Sequence, residues 1–370
     1  MHILVLGLDQ KILDQTSAVF KRALEYADLV ERYVVIVPSR SKKQIRQGTL
    51  EVYGSGGAIK GVQLFYLDRL AEKIARHGQF DVVSVQDIYF LARVGVRLKY
   101  QFQLGLEIQV HGIEKLNWYR RFLARLNLTQ ADSVRVVGKD LKDRLASQFG
   151  VDKDIIVEMP IYFNWQEWKN RPFSGKLRQQ RWKDDFVFLV VGRLAPIKQI
   201  GEIIRAFAPL VYEGQMVRLV IVGEGKEEGR LRALAHELGL DKRVEFVGWQ
   251  DNLVEYYRSA DCFVQNSKEE GYGLALLEAL SCRLPVITTP VGVAQKVVKD
   301  GVNGLVVKDS EDLARMMKLV VVNRQMLDKF KNNTRNFLDT LPSRADILSK
   351  YKESWRQAQM RARSQFHKLG

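Results

Sequence analysis

The sequence predicts an α/β protein built on two doubly wound parallel sheets. Three observations carry that prediction. Short apolar runs, each ending in a polar loop, alternate with amphipathic stretches of helical period. The alternation halts across residues 163–185 and then starts afresh. The chain has 370 residues, enough for two domains of ordinary size, and 46% of them are apolar, enough to fill two cores.

In the first half, residues 1–7 read as a strand and 11–28 as a helix. Tyr33-Val34-Val35-Ile36-Val37 is an apolar run closed by Pro38, the pattern of a buried parallel strand. Residues 62–66 read as another strand and 70–77 as a helix, with Gly54-Ser55-Gly56-Gly57 as a flexible loop between strands. Next come a strand at 80–87, a helix at 88–100, and a strand at 106–110 that delivers His111-Gly112. A helix at 114–130, a strand at 132–137, a helix at 139–148 and a strand at 155–158 complete this half. The first domain is expected over 1–170.

Residues 163–185 show no clear period. The segment 171–185 reads as the interdomain linker, with Arg171, Lys176, Arg178, Arg181 and Lys183 and no acid until Asp184. Strands are then expected at 186–191, 217–222, 243–247, 261–265 and 285–287, with helices at 198–212, 226–239, 252–259 and 273–282. Gly301-Val302-Asn303-Gly304 is a turn signal before a strand at 305–307, and helices follow to the end. The second domain is expected over 186–346.

Cys262 and Cys282 are the two cysteines, one on an expected strand and one on an expected helix. They read as buried reduced thiols, consistent with a cytoplasmic protein. No C-x-x-C pair or histidine cluster suggests a metal. Asp152-Lys153-Asp154 spells D-x-D, but between a helix and a short strand it does not read as a metal motif. Met1–Gly7 reads as a strand rather than a signal peptide, and no apolar run is long enough to cross a membrane. The net charge of +15 calls for an acidic partner: nucleic acid, anionic lipid headgroups or a phosphorylated substrate.

The candidate site centres on Glu270-Gly271-Tyr272-Gly273-Leu274, after the expected strand at 261–265 and before the helix carrying Glu278. Glycines let the backbone turn tightly and approach a ligand closely. A helix N-terminus offers unpaired N–H groups and a positive dipole end, which suits an anion. The two carboxylates can accept hydrogen bonds from sugar hydroxyls. A second element, Gly192-Arg193-Leu194-Ala195-Pro196-Ile197-Lys198, follows a strand and opens a helix; its two cations can converge on one diphosphate.

Two glutamates at this spacing occur by chance in many helices. The whole stretch, Glu-Gly-Tyr-Gly-Leu through Leu-Leu-Glu-Ala-Leu-Ser-Cys with Leu284-Pro285-Val286-Ile287 and Pro290-Val291-Gly292, resembles the donor-site signature of retaining family-4 glycosyltransferases of the GT-B fold. The Gly-Arg-Leu…Lys element is similar to the family's diphosphate grip, with Gln199 where the family usually has Gly. Val110-His111-Gly112 resembles the family's His-Gly, which faces the donor sugar. Gly7-Leu8-Asp9-Gln10 and Pro160-Ile161-Tyr162-Phe163-Asn164 depart from the family pattern on the acceptor side.

The resemblance implies two Rossmann-like domains facing across a cleft, with the final helix, 347–370, crossing back onto the first. It implies sugar transfer from a nucleotide diphosphate sugar to a carbohydrate or lipid-linked acceptor, without a cofactor or metal. His111, Glu270, Arg193 and Lys198 would be catalytic. Gly192, Arg193, Lys198, Val247, Glu270, Gly271, Tyr272, Gly273, Leu274 and Glu278 would bind the donor, Glu278 through its ribose. Trp249 is a further candidate beside the base. Gly223-Glu224-Gly225 reads as a plain turn.

Basic residues concentrate on Arg93/Arg97/Lys99, on Lys115/Arg120/Arg121/Arg125, and on Lys350/Lys352/Arg356/Arg361/Arg363/Lys368. The second group is interleaved with Leu116, Trp118, Tyr119, Phe122 and Leu126. It reads either as an anchor on an anionic membrane surface or as a helix packed on its own sheet with a solvated basic face. The competing function is a basic, non-catalytic scaffold binding nucleic acid or an anionic surface. Against a nucleic-acid partner stands the lack of any recognised binding module.

Overall fold

The computed structural model describes residues 1–113 and 117–368, which form two compact units: residues 1–161 with 342–370, and residues 162–341. The first runs β1 (His2–Leu6), α1 (Ala18–Ala27), β2 (Arg32–Val37), β3 (Lys42–Gln47), β4 (Leu50–Ser55), α2 (Lys60–His77), β5 (Val82–Val85), α3 (Phe90–Phe102), β6 (Gly105–Val110), α4 (Trp118–Leu128), β7 (Ser133–Val136), α5 (Lys139–Phe149) and β8 (Ile156–Glu158). Its strands form one sheet in the order β3-β4-β2-β1-β5-β6-β7-β8, parallel except for the β3–β4 hairpin. The order reverses beside β1.

Residues 62–66, expected as a strand, lie inside α2. Their apolar run looks strand-like, but Gln63, Leu67, Ala71 and Ala75 recur every four residues and are the ones that bury. The hairpin β3–β4 was not foreseen. β3, Lys-Lys-Gln-Ile-Arg-Gln, is an exposed edge strand with no face to bury, so no apolar pattern announces it. Gly48 at its turn has φ +57°, and Gly54 and Ser55, expected in a loop, belong to β4. Residues 114–116 of the expected helix at 114–130, with Lys115 and Leu116, lie outside the described residues.

The second unit runs α6 (Trp165–Asn170), α7 (Lys176–Arg181), β9 (Phe186–Val191), α8 (Ile200–Tyr212), β10 (Val217–Val222), α9 (Glu228–Glu237), β11 (Val244–Gly248), α10 (Leu253–Ser259), β12 (Cys262–Gln265), α11 (Leu274–Ser281), β13 (Val286–Thr288), α12 (Ala294–Val297), β14 (Leu305–Val306), α13 (Ser310–Val322) and α14 (Arg324–Leu338). Its sheet is wholly parallel, in the order β11-β10-β9-β12-β13-β14. The order reverses between β9 and β12, and in such sheets ligands bind beyond the strands' carboxyl ends at that point.

Residues 171–185, expected as a linker, pack within the second unit. Arg178 pairs with Asp261 at 2.9 Å, Arg181 with Glu245 at 2.6 Å, and Trp182 is buried beside Tyr256. Arg178 and Arg181 are thus held by partners distant in sequence, and Arg171 by Glu167 one turn before it.

The last helix, α15 (Arg344–His367), belongs to the first unit and opens with a Ser343–Asp346 capping box. Its buried stripe, Ile347, Ser354, Trp355, Ala358 and Ala362, lies against β6 and β7. Gly105 permits this approach, since a Cβ there would stand 2.6 Å from the Ala358 carbonyl. Helix α15 and α1 cover one face of the sheet, over Ile3, Val5, Tyr33 and Val35; α2 to α5 cover the other.

Candidate active site

Two loops emerge side by side at the reversal point of the second sheet. After β9 the chain runs Gly192-Arg193-Leu194 and then through a short 3-10 turn, Pro196–Lys198, into α8. After β12 it runs from Asn266 to Gly273 and into α11. The Lys198 Nζ reaches Glu270 Oε1 at 2.5 Å, and the Lys268 N–H donates to the Ile197 carbonyl at 2.9 Å. Ser267 Oγ donates to the same Glu270 oxygen at 2.7 Å. Lys198 and Glu270, 72 residues apart in the chain, thus meet as the parallel topology requires.

Glycines set how closely these loops approach. Gly273 caps α11 at φ +97°, a conformation an L side chain rarely adopts. The first N–H groups of α11 follow it and have no side-chain cap from Gly273. Gly292 lies beneath the same loop: a Cβ there would stand 2.6 Å from the Tyr272 carbonyl, and the next residue, Val293, donates its N–H to that carbonyl at 2.7 Å. Gly223 and Gly225, expected as a plain turn, do more. Cβ atoms on them would stand 2.1 Å from the Gly192 carbonyl and 2.2 Å from the Leu194 carbonyl, so the β10 loop supports the Arg193 loop by direct backbone packing.

Gln199 has φ +49° and ψ +37°, left-handed geometry at the start of α8. The glycine usual at this position in the resembling family therefore answers a backbone demand. With Gln199 there, the chain carries a local backbone strain.

Glu278 sits in the second turn of α11, part-buried, and accepts the Tyr257 hydroxyl at 2.8 Å. Burial raises its pKa, and the Tyr257 hydrogen bond and Arg171 partly offset this. Tyr257, fully buried, holds the carboxylate in place; sequence reasoning missed it, as it missed Ser267, because neither falls on a motif. Arg193 is exposed at the end of β9. Val247 is the next-to-last residue of β11, and its carbonyl accepts from the Gln250 side chain at 2.9 Å. Trp249 is 69% exposed, with its indole N–H on Asp251.

His111 belongs to the first unit, at the carboxyl end of β6. Although part of its side chain is open to solvent, desolvation by the surrounding protein lowers the ring's pKa, and the charges of Arg135 and Arg22 lower it further. The ring is therefore neutral near pH 7. Asp152 of the D-x-D caps a 3-10 turn by accepting the Asp154 N–H. Among the described residues, no group of three or more His, Cys, Asp and Glu gathers to hold a metal.

Some members of two basic clusters have structural partners. Lys99 is buried against Asp132 at 2.8 Å, and Arg97 bridges Asp68 and Glu72. In α15, Lys350 donates to the Glu158 carbonyl, and Arg363 pairs with Asp81. Among the described residues, no helix is long and apolar enough to cross a membrane.

Residues 175–337 match the family model described as glycosyl transferases group 1. The chain is 29% identical over 259 residues to an uncharacterised glycosyltransferase of Methanocaldococcus jannaschii, an alignment covering 66% of this chain and 60% of that relative's length. It is 23% identical over 350 residues to the alpha-monoglucosyldiacylglycerol synthase of Acholeplasma laidlawii, covering 86% and 87%. Among solved structures, Anabaena HepE in complex with UDP and glucose superposes with a TM-score of 0.75 at 20% identity, covering 96% of this chain and 99% of that one, which shows the fold. Two Rossmann-like units give the chain the GT-B fold, and residues 175–337, which contain every candidate donor-side motif, are similar to the glycosyl transferases group 1 family.

Proposed function

We propose that this protein is a retaining glycosyltransferase that moves a sugar from a nucleoside diphosphate sugar to a carbohydrate or lipid-linked acceptor in cell-surface polysaccharide or glycolipid synthesis. The observation that carries this reading is the Lys198–Glu270 pair beside the glycine-capped start of α11. A cation, a carboxylate and a helix N-terminus together suit a ligand with a diphosphate at one end and hydroxyls at the other. HepE, of the same fold, was solved with UDP and glucose, which fits such a donor.

In this reading the bond between the sugar's anomeric carbon and the diphosphate oxygen breaks, and the acceptor oxygen bonds to that carbon on the same face. The acceptor's proton passes to the departing phosphate oxygen. Negative charge grows on the diphosphate, where Arg193, Lys198 and the α11 dipole stabilise it. Gly192, Gly271 and Gly273 let the backbone close on the phosphates, with Tyr272 and Leu274 flanking. Glu270 holds sugar hydroxyls, Glu278 the ribose, and Val247 the base. A neutral His111 hydrogen-bonds near the reacting carbon. The reaction belongs in the cytoplasm, at the inner face of the membrane when the acceptor is lipid-linked.

Thermal shift with UDP-, GDP- and ADP-linked sugars tests the donor site, because a ligand that binds only the folded state raises its stability. A shift with one base that disappears in Arg193→Ala supports the reading. No shift with any of them favours a non-catalytic basic scaffold.

A further inference from the structure

Parallel β-α-β topology puts every helix N-terminus of the first unit at the carboxyl edge of its sheet, the edge where β6 delivers His111. Among the described residues, six of that unit's seven large exposed aromatics gather at this edge, Tyr100 near the far end of α3 being the exception. Phe65 and Tyr66 stand in the second turn of α2, Phe90 opens α3, and Trp118, Tyr119 and Phe122 occupy the first turns of α4. Trp118 is 81% exposed, Phe122 59% and Phe65 53%. Helix α4 buries only its second half: Ala124 and Leu128 are buried, and Asn127 donates to the carbonyls of Ile88 and Tyr89 just before α3, while in the first half Arg121 lies over the Phe149 ring.

The charges carried by α4 itself have one sign. Helix α4 carries Arg120, Arg121 and Arg125 and no acid. Arg120 lies over the Tyr89 ring and Arg69 over Phe65, so guanidinium groups and aromatic faces share the surface. Among the described residues, Asp68 pairs with Arg97 and Asp87 accepts N–H groups at the start of α3, while Glu114 lies outside the described residues.

We infer that the N-terminal ends of α2, α3 and α4 form a docking surface for an anionic phospholipid bilayer. Trp and Tyr rings settle at the level of lipid headgroups, Phe reaches the acyl boundary, and each nearby arginine is attracted to anionic headgroups. A second copy of this chain would bring the same arginines against each other, so charge favours lipid over self-association. Docked this way, the edge bearing His111 faces the bilayer, where a lipid-linked acceptor would present its head.

The test is vesicle co-sedimentation of the full chain, without donor or acceptor. Phosphatidylcholine vesicles are compared with vesicles of phosphatidylcholine and phosphatidylglycerol. The wild type is expected to sediment with the anionic vesicles only. Trp118→Ser/Phe122→Ser and Arg120→Glu/Arg121→Glu are each expected to weaken that binding at least about tenfold. These residues are exposed, so thermal melts and donor thermal shifts should match the wild type. That keeps this outcome separate from any failure of the donor site. Equal binding to both vesicle types, no binding to either, or undiminished binding by the variants would overturn the inference. So would a dimer in sedimentation velocity that Trp118→Ser/Phe122→Ser dissociates.

Discussion

Lys198 and Glu270 are paired at 2.5 Å, so the cation proposed for the donor diphosphate is partnered by the carboxylate proposed for its sugar. A nucleoside diphosphate must share Lys198 with Glu270, whereas an intact nucleotide sugar gives each a new partner. Glu270→Gln removes the competing charge. It should tighten UDP binding severalfold in calorimetry while lowering transfer by about 10²-fold or more. Lys198→Ala should weaken both. Weaker UDP binding by Glu270→Gln would show that the pair does not compete with the phosphates.

Gln199 tests the strain reading. Left-handed geometry costs a non-glycine residue about 1 kcal/mol. Gln199→Gly should therefore raise the stability of the second unit by up to about 1 kcal/mol in urea unfolding, even though glycine loosens the unfolded chain. A loss of stability would mean that the Gln199 side chain makes a compensating contact.

Gly292 offers the opposite substitution. At φ +59°, with the Tyr272 carbonyl 2.6 Å from a would-be Cβ and Glu270 Cβ at 2.8 Å, alanine must push the Glu270 loop aside. Gly292→Ala should cost about 1–3 kcal/mol and reduce the donor thermal shift, while Gly214→Ala should cost only its backbone strain. Gly214 has a similar φ of +75° with open space around it, so the difference between the two variants isolates the loop contact.

Much of the second unit was legible because its strands are buried on both faces and read as unbroken apolar runs, such as Phe186–Val191. The candidate donor motifs stand out for a related reason: glycines and charges cluster where a parallel sheet turns. What escaped depends on contacts distant in sequence. Gly223 and Gly225 look like turn residues until the Gly192 and Leu194 carbonyls are found against them. Tyr257 looks like core until Glu278 is found on its hydroxyl. Residues 62–66 carry strand-like side chains, and only the burial of Gln63, Leu67, Ala71 and Ala75 decides for helix. The aromatic residues of α4 were visible in the sequence, but whether they faced the sheet or solvent was not.

His111 should titrate below an ordinary histidine, because desolvation, Arg135 and Arg22 all disfavour the imidazolium. Followed by NMR, its pKa should rise in Arg22→Gln, which removes one repelling charge. The linkage has a definite sign. As pH falls, the unfolded chain binds this proton first, so the contribution to stability present above the ordinary value declines until the lowered one is reached. A pKa above the ordinary value would mean that a carboxylate faces the ring instead.

Glu107 and Arg135 form the other test of charge inside the protein, this time in the first unit. Glu107 is fully buried in β6 and accepts from Ser84, Ser354 and Trp355, while Arg135 Nη2 stands 3.7 Å away with no hydrogen bond of its own. Arg135 lies instead over the Tyr351 ring at 3.9 Å. The pair ties α15 to the sheet, yet two buried charges are costly, and well-packed apolar residues can serve as well. Glu107→Leu alone strands Arg135 and should cost about 3–5 kcal/mol; Arg135→Met alone strands Glu107 and should cost a similar amount. The double substitution removes both charges and should cost far less than the sum. Urea unfolding followed by tryptophan fluorescence reports on this region, since Trp355 donates to Glu107. Additive losses would mean that α15 is held by the hydrogen bonds to Glu107 and its aromatic contacts, and that the ion pair contributes nothing between the two residues.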